Sequence, residues 1–585
     1  MCKENINILK VNEVIVDSFI EKIEFDLNAI DLRNLIYYFL SFHAISPFIN
    51  KGFSKPVDSE IEIFTGIYSN CIKKLNSNIS ESLHASLTQI EYRDKINKDI
   101  FLLGKYKALC NLMPAIHKEN INIYQINKIL NSIHLDYKKE VYLVYECRDI
   151  LFTRINLIYD FNIKFNKIQD LIKIAKKYYS GGYVNLDFNT LLFMYKSKFN
   201  KIYNHYKGYS YLLCDDFLYS VGGFYLVDFN RFLTSMHCLN GIEKDLVKTI
   251  VLKEGNIFSD ENNLDKNILR FYNKKMDYSI FKKSICSFSG VKEENFDKII
   301  KYFLINYDED NAYDLSGDDY IVPFLKKEGI LYFNTIFNVK MISPRNLLYA
   351  MNKYSNLIAR DKLYNSNSKK LELNFLKFMR AIFESYSLNF YEGKKWEISK
   401  KIKGEIDAIV VCNVSKTLLI IQTKTVIAAS NYRTVSNLQS NMYMAIEQIQ
   451  RFNDLESNKK NQILKEIIGE DISTYNIVNC VNSDGGIGTA LIWDKLYSLN
   501  IVPFNMAVIV KYFNKHKDLF NFKTRMYLMI EELTKSLKPE LRQCEINFDE
   551  YFDALTIFHD DVLADYDALA NDAINFHKKI SEVLI

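Results

Sequence analysis

Apolar positions in the second half of the chain change period several times, and each change predicts an element. From Leu371 to Tyr386, the residues Phe375, Leu376, Met379, Ile382, Phe383 and Tyr386 fall on one stripe at about 100° per residue, so an amphipathic helix is expected. Glu372 lies inside that stripe and Glu384 lies off it. Leu388 to Tyr391 and Trp396 to Ile402 read as strands. The stretch from Gly404 to Lys424, GEIDAIVVCNVSKTLLIIQTK, reads as a β-hairpin with an acidic first strand and an apolar second strand ending in Gln422-Thr-Lys424. A helix follows from about Val435 to Asp454. Tyr475 to Val481 and Met506 to Val510 read as strands separated by the loop 483–488, and the tail beyond about Asn514 reads as helix throughout.

Helical spacing dominates the first 170 or so residues. Leu32, Leu35, Ile36, Phe39 and Leu40 show it, as do Ile126, Ile129, Leu130 and Ile133, and later Val141, Val144 and Leu151. The run Tyr178-Tyr-Ser-Gly-Gly-Tyr183 is a break. Beyond it come a helix from Phe188 to Tyr206, a Gly222-Gly223 turn, amphipathic segments at Ile242 to Leu252 and Phe296 to Leu304, short strands around Tyr320 and from Lys327 to Asn334, and a helix opened by Pro344. The polar run Asn365-Ser-Asn-Ser-Lys-Lys370 reads as a gap between domains. The expected organisation is a helical domain at 1–180, a mixed, mainly helical connector at 181–364, an α/β domain at 365–512 and an acidic helical extension at 513–585.

A chain of 585 residues is too long for one core. Its net charge of +4 excludes a uniformly basic nucleic-acid coat, but acidic residues dominate from Glu540 onward, which leaves the rest more basic than the total. Ten cysteines without a CxxC pair argue against a zinc ribbon or a disulfide framework. No apolar run approaches the length of a membrane span, and the N-terminus MCKENINILK lacks the apolar segment of a signal peptide, so a cytoplasmic protein is expected.

Alternation turns the hairpin into a geometric expectation. Glu405, Asp407, Ile409 and Val411 share one face of the first strand, and Leu418, Ile420, Gln422 and Lys424 share one face of the second. With Val414-Ser415 as a two-residue loop, Asn413 pairs with Lys416 and Asp407 comes opposite Gln422, their Cβ atoms roughly 5 Å apart. A loop one residue longer would turn Asp407 away. Burying such groups unpaired costs a few kcal/mol each, so an amide, an ammonium and a carboxylate at the ends of apolar strands require a reason.

The order of these parts resembles the PD-(D/E)xK nuclease superfamily. The matching residues are Glu372 on the helix, Gly404-Glu405-Ile406-Asp407 and Gln422-Thr423-Lys424 on the hairpin, with a helix after it, over roughly residues 365 to 485. No proline precedes the aspartate, and Gln422 stands where the usual second acid would be. The resemblance implies a restriction-endonuclease-like α/β domain with a central mixed sheet flanked by helices, and hydrolysis of phosphodiester bonds with Mg²⁺ or Mn²⁺. Asp407, Glu372 and the Gln422 carbonyl would hold the metal, and Lys424 would orient or deprotonate the attacking water. Glu405 would support them. From the following helix, either Gln439 with Tyr443 or Gln448 would face the metal; Gln439 and Gln448 point to nearly opposite sides.

Lys394, Lys395, Lys400, Lys401, Lys403 and Arg433 crowd the sequence around this hairpin and are candidate phosphate contacts. DNA is the expected partner rather than RNA, because the resembling superfamily mostly cuts DNA. Prokaryotic defence or restriction would fit, with the N-terminal helical region as the sensor, the target-binding part, or the seat of a partner protein or second copy of the chain. Two readings compete. Arg231 and His237 match the loose spacing of metal-independent HEPN ribonucleases, and the chain could be a non-catalytic scaffold with a degenerate nuclease fold. The acidic stretch from Tyr307 to Asp319 reads as a solvated loop, since a tyrosine stands where a calcium loop needs glycine.

Overall fold

The structure, a computed structural model, describes residues 33, 36, 37, 40, 121–127, 132–137, 139–155, 192, 195–253, 273–310, 312–317, 320–400, 402–424, 432–483, 486, 487, 489–548 and 555–584. It is a mixed helix and sheet architecture. Its compact units are two, one holding Ala108–Phe161 and Glu372–Ile585, the other Glu24–Lys107 and Asn162–Leu371, together with Met1–Ile23 in the first. No described helix is long and apolar enough to cross a membrane.

The unit of Asn162–Leu371 gathers helices Lys196–Tyr209, Asp215–Gly222, Leu226–Lys253, Tyr278–Ser289 and Glu293–Ile300 around a four-stranded sheet. The sheet order is Asn273–Asp277, Ile330–Asn334, Phe324–Lys327, Leu304–Asn306. Phe229, Phe232, Phe281, Phe296, Phe303, Phe324 and Phe333 are buried in this core, which accounts for part of the chain's phenylalanine content. Gly223, at φ 74°, closes the helix Asp215–Gly222 where the Gly-Gly turn was expected.

The other unit is built on a five-stranded mixed sheet, with elements labelled here in chain order. Helix α1 is Leu363–Glu384; β1 is Asn389–Glu392, β2 Lys395–Ser399, β3 Ile402–Glu405, β4 Ala408–Cys412 and β5 Thr417–Lys424. Then come α2 (Tyr432–Asn453), α3 (Ser457–Ile468), β6 (Asn476–Ser483), α4 (Ala490–Ser498), β7 (Val502–Phe504), α5 (Met506–Lys515) and α6 (Phe522–Ser536). The sheet order is β7-β6-β5-β4-β1, antiparallel across β1, β4 and β5 and parallel across β5, β6 and β7.

Helices cover both faces, and the strands β4 and β5 are accordingly apolar on both, with every residue from Ala408 to Thr423 within the two strands buried. On one face Ile409, Val411, Leu418 and Ile420 pack with Phe452 of α2 and Ile463, Leu464 and Ile468 of α3. On the other, Phe383 of α1 stacks on Phe390 of β1 and meets Phe504 of β7 and Phe513 of α5 edge-on. Each such side chain contributes about 1.5–3 kcal/mol by leaving water.

Four sequence expectations are corrected. Ile126 and Ile133 do not belong to a helix, while Ile129 and Leu130 lie outside the described residues: Ile121–Asn127 and Ser132–Tyr137 are strands of a four-stranded sheet, completed by Leu555–Leu563 and Glu540–Phe548. Short isoleucine-rich segments satisfy both periods, and the pairing of Ser132 with Thr556 decides between them from far along the chain. Those last two strands also overturn the all-helical tail. They pair Arg542 opposite Asp561, so what read as a charged helix is a ladder.

Met506 to Val510 is the first part of α5, not a strand. All five residues are buried, which erases any period, and Asn505 caps the helix by accepting the Val508 N–H at 2.8 Å. Nor does Asn365 to Lys370 break the secondary structure: α1 runs through it from Leu363, with Asn365, Ser366, Ser368 and Lys369 on the exposed side, although the boundary between the two compact units does fall just after it, between Leu371 and Glu372. Of the stripe that began with Leu32, Ile36 and Leu40 are described and buried; Leu32, Leu35 and Phe39 lie outside the described residues.

Candidate active site

The hairpin register is the one that alternation required. Ala408 pairs with Ile421 and Cys412 with Thr417, and extending that ladder by one step sets Asp407 against Gln422. The turn itself holds four residues, Asn413 to Lys416, with Lys416 at φ 48°.

The acidic strand, however, is not continuous. β4 begins at Ala408, and Glu405 ends the separate strand β3, so Ile406 and Asp407 form a bend between them. The partner strand bends at the same level: Gly393 N–H donates to the Asp407 carbonyl at 2.9 Å and Ile406 N–H to the Lys394 carbonyl at 3.2 Å. The backbones approach so closely that a Cβ on Gly393 would lie 1.5 Å from the Ile406 carbonyl oxygen. Ile406, rather than Asp407, joins Ile409 and Val411 in the core, and this breaks the alternation that predicted a shared face.

The bend gives Asp407 its role. With β4 ended, the Thr423 amide of β5 has no strand partner on that side, and Asp407 Oδ2 accepts its N–H at 2.7 Å. Oδ1 makes no hydrogen bond among the described residues. Burial pushes the Asp407 carboxyl up to about 6; the Thr423 N–H and the Lys424 ammonium pull against that rise, while the nearby Glu372 and Glu405 carboxylates add to it.

Gln422 is 1% exposed. Its Nε2 donates to the Glu405 carbonyl at 2.6 Å, and its Oε1, also buried, has no partner among the described residues. An orphaned carbonyl oxygen in a buried site costs about 1–3 kcal/mol unless a cation or a hydrogen-bond donor occupies the position it faces. Lys424, half-buried, donates to Gln448 Oε1 of α2 at 3.2 Å.

Gln448 is therefore the member of the following helix that reaches the hairpin. Tyr443 instead lies beneath the Lys495 ammonium of α4, 4.9 Å from its ring centroid, and Gln439, one turn earlier, shares that side of α2. Glu372 is exposed, two turns before Met379 on the same side of α1. Met379 touches Thr423 through an Oγ1–Sδ contact of 3.7 Å. Glu372 thus approaches from the α1 face and Gln422 and Lys424 from the α2 face, and Asp407 stands at the bend where the two faces meet. A shared sheet face, as the sequence suggested, is not how these groups come together.

Lys394, Lys395, Lys400 and Lys403 are exposed on β2, β3 and their flanks. Lys401 and the side chain of Arg433 lie outside the described residues. In the other unit, Arg231 donates to the Gly290 carbonyl at 3.3 Å, while His237 stacks on Tyr206 and shares a 2.7 Å hydrogen bond with its hydroxyl.

Sequence reasoning missed Asn482. It is fully buried beside Thr423 in the β5–β6 ladder, and neither of its amide atoms has a partner among the described residues. The available signal was an asparagine at every third position of β6, Asn476, Asn479 and Asn482, among Ile, Val and Cys. Among the described residues, no group of three or more His, Cys, Asp or Glu side chains is gathered to hold a metal ion. The candidate donors are fewer and all oxygen: Asp407 Oδ1, Gln422 Oε1 and the Glu372 carboxylate. That set suits a hard cation that keeps several waters, for which one or two carboxylates suffice. No protein-family model, no curated protein and no solved structure matches the chain.

Proposed function

We propose that the chain is a metal-dependent nuclease hydrolysing phosphodiester bonds of DNA, with a restriction-endonuclease-like domain around β1, β4, β5, β6 and β7. The observation that carries the proposal is the end of β5. There an aspartate carboxylate with one free oxygen, an unpartnered buried amide oxygen and an anchored lysine converge at one bend.

In this reading Asp407, Glu372 and Gln422 Oε1 hold Mg²⁺ or Mn²⁺, which when bound supplies charge neutralisation at the phosphate and a more acidic water. Lys424 orients the attacking water and offsets negative charge that develops on the phosphoryl oxygens. Gln448 holds the Lys424 ammonium in place. Glu405 supports the site through its backbone carbonyl, which fixes the Gln422 amide so that Nε2, and not Oε1, is spent on the protein. The N-terminal region would act as sensor or target-binding part in a defence or restriction role.

The test is cleavage by the full chain, with Mg²⁺ or Mn²⁺, of linear, nicked, methylated and single-stranded DNA and of RNA. Activity abolished by EDTA and by Lys424→Ala is expected. Equal activity in Lys424→Ala, or cleavage that survives EDTA and is lost in His237→Ala, would overturn the proposal.

A further inference from the structure

Residues 393–404 contain five lysines and one glutamate, a net charge of +4, equal to that of the whole 585-residue chain. Lys395–Ser399 and Ile402–Glu405 form the two-stranded ribbon β2–β3, which pairs with no other described strand. Its base is fixed. Trp396 is buried against Phe452 of α2, ring centroids 6.1 Å apart, and Gly404 lies flat against the Trp396 indole, where a Cβ would come within 2.4 Å. Beyond that anchor the ribbon is open to solvent: Lys394, Lys395, Lys400 and Lys403 are exposed, and so are Ile398 at 39% and Ile402 at 47%. The described lysines of the ribbon make no ion pair among the described residues.

We infer that the ribbon β2–β3 enters the major groove of double-stranded DNA, with its lysines on the flanking phosphates and Ile398 and Ile402 toward the base edges. Resting on the nuclease reading, this names the substrate as B-form duplex. The B-DNA major groove, about 12 Å wide and about 8.5 Å deep, admits a two-stranded ribbon. Five residues of strand reach about 16 Å, enough to cross that depth. The A-form RNA groove is deep and too narrow for side chains to read, and a single strand presents no groove. Aliphatic side chains at the tip match thymine methyl groups, the apolar feature of that groove. The ribbon leads through Ile406 directly to Asp407, so seating it would deliver the phosphate backbone to the candidate site.

The test uses the full chain as Asp407→Ala, which removes cleavage, and measures binding to a labelled duplex DNA, the same sequence as duplex RNA, and its single strand. Duplex DNA should bind at least tenfold more tightly than either. Replacing Lys394, Lys395, Lys400 and Lys403 by Gln should reduce the slope of log affinity against log salt by about 3.6, at about 0.9 for each phosphate no longer neutralised. Substituting uracil for thymine should weaken the parent severalfold and leave the Ile398→Ser, Ile402→Ser variant unchanged. Equal binding to the three nucleic acids, an unchanged salt slope, or binding of the ribbon to phosphatidylserine vesicles in place of DNA would overturn the inference. Cleavage that persists in the ribbon variants would sink this inference alone, whereas ribbon-dependent duplex binding by a chain that never cleaves would sink the nuclease reading and leave the ribbon.

Discussion

Asp407 Oδ2 accepts the backbone N–H of Thr423 at 2.7 Å, so the carboxylate closes the strand at the residue between Gln422 and Lys424. The same bond makes the aspartate both a structural cap and a site residue. Its placement explains why it keeps its proton to a higher pH than an ordinary aspartate: a group taken into an apolar sheet edge next to two other carboxylates resists ionising.

A stability consequence follows from the sign of that shift. The folded Asp407 holds its proton up to about pH 6, against about 3.8 for an unshifted aspartate, so the folded chain binds more protons in that window and loses stability as pH rises through it. Asp407→Asn, which keeps an oxygen for the Thr423 N–H, should therefore raise the melting temperature at pH 7.5 in EDTA by a few degrees and leave it nearly unchanged at pH 4. Calorimetry of the two proteins at both pH values checks this. Mg²⁺ should raise the melting temperature of the parent only, and less so below pH 6.

Gln422→Glu exchanges a neutral ligand for an anionic one and forfeits the Nε2 donation to the Glu405 carbonyl. In EDTA it should destabilise the chain by about 1–2 kcal/mol, since a second acid joins Asp407 at the buried edge. Saturating Mn²⁺ should return most of that loss, and titration calorimetry should show tighter metal binding than the parent. Gln422→Ala should bind metal more weakly than either.

Lys424 and Gln448 form a pair in which one acts through the other. Lys424→Ala should lower the cleavage rate on the order of 100-fold. Gln448→Ala should lower it about tenfold and shift the pH–rate profile, because the ammonium loses its anchor, while Gln448→Glu should recover most of the rate. Gln439→Ala and Tyr443→Phe, on the side of α2 that meets Lys495, should leave rate and profile unchanged.

Gly393→Ala tests the bend. A methyl group placed 1.5 Å from the Ile406 carbonyl must push β1 and β4 apart at the level of Asp407. A loss of more than 2 kcal/mol in denaturant unfolding is expected, or an intact fold with no Mg²⁺-dependent stabilisation. Gly329→Ala provides the comparison, since nothing lies within 4 Å of its Cβ position and only its φ of 71° is strained.

Legibility in the sequence followed the range of the interactions. The α1 stripe, the hairpin register and the α2 helix were all readable because each rests on neighbours a few residues apart. The strands at 121–137 and 540–563 were not, because Ser132 meets Thr556 and no local period encodes that pairing. α5 was misread because full burial removes the contrast between faces on which a period depends.

The same division holds within the site. Residue types and the sum of paired positions in the hairpin determined that Asp407 and Gln422 come opposite each other, since a two-residue alternation leaves only one register with the apolar set inside. Tertiary structure decided everything about orientation. Close passage of Gly393 beneath Ile406 breaks the strand and frees Asp407 for the Thr423 N–H. The packing of α2 on β5 selects Gln448 for Lys424. The opposite packing of α1 brings Glu372 from the other face. These are contacts between elements, and a bend that flips a side chain costs too little locally to leave a mark in the pattern beyond two glycines.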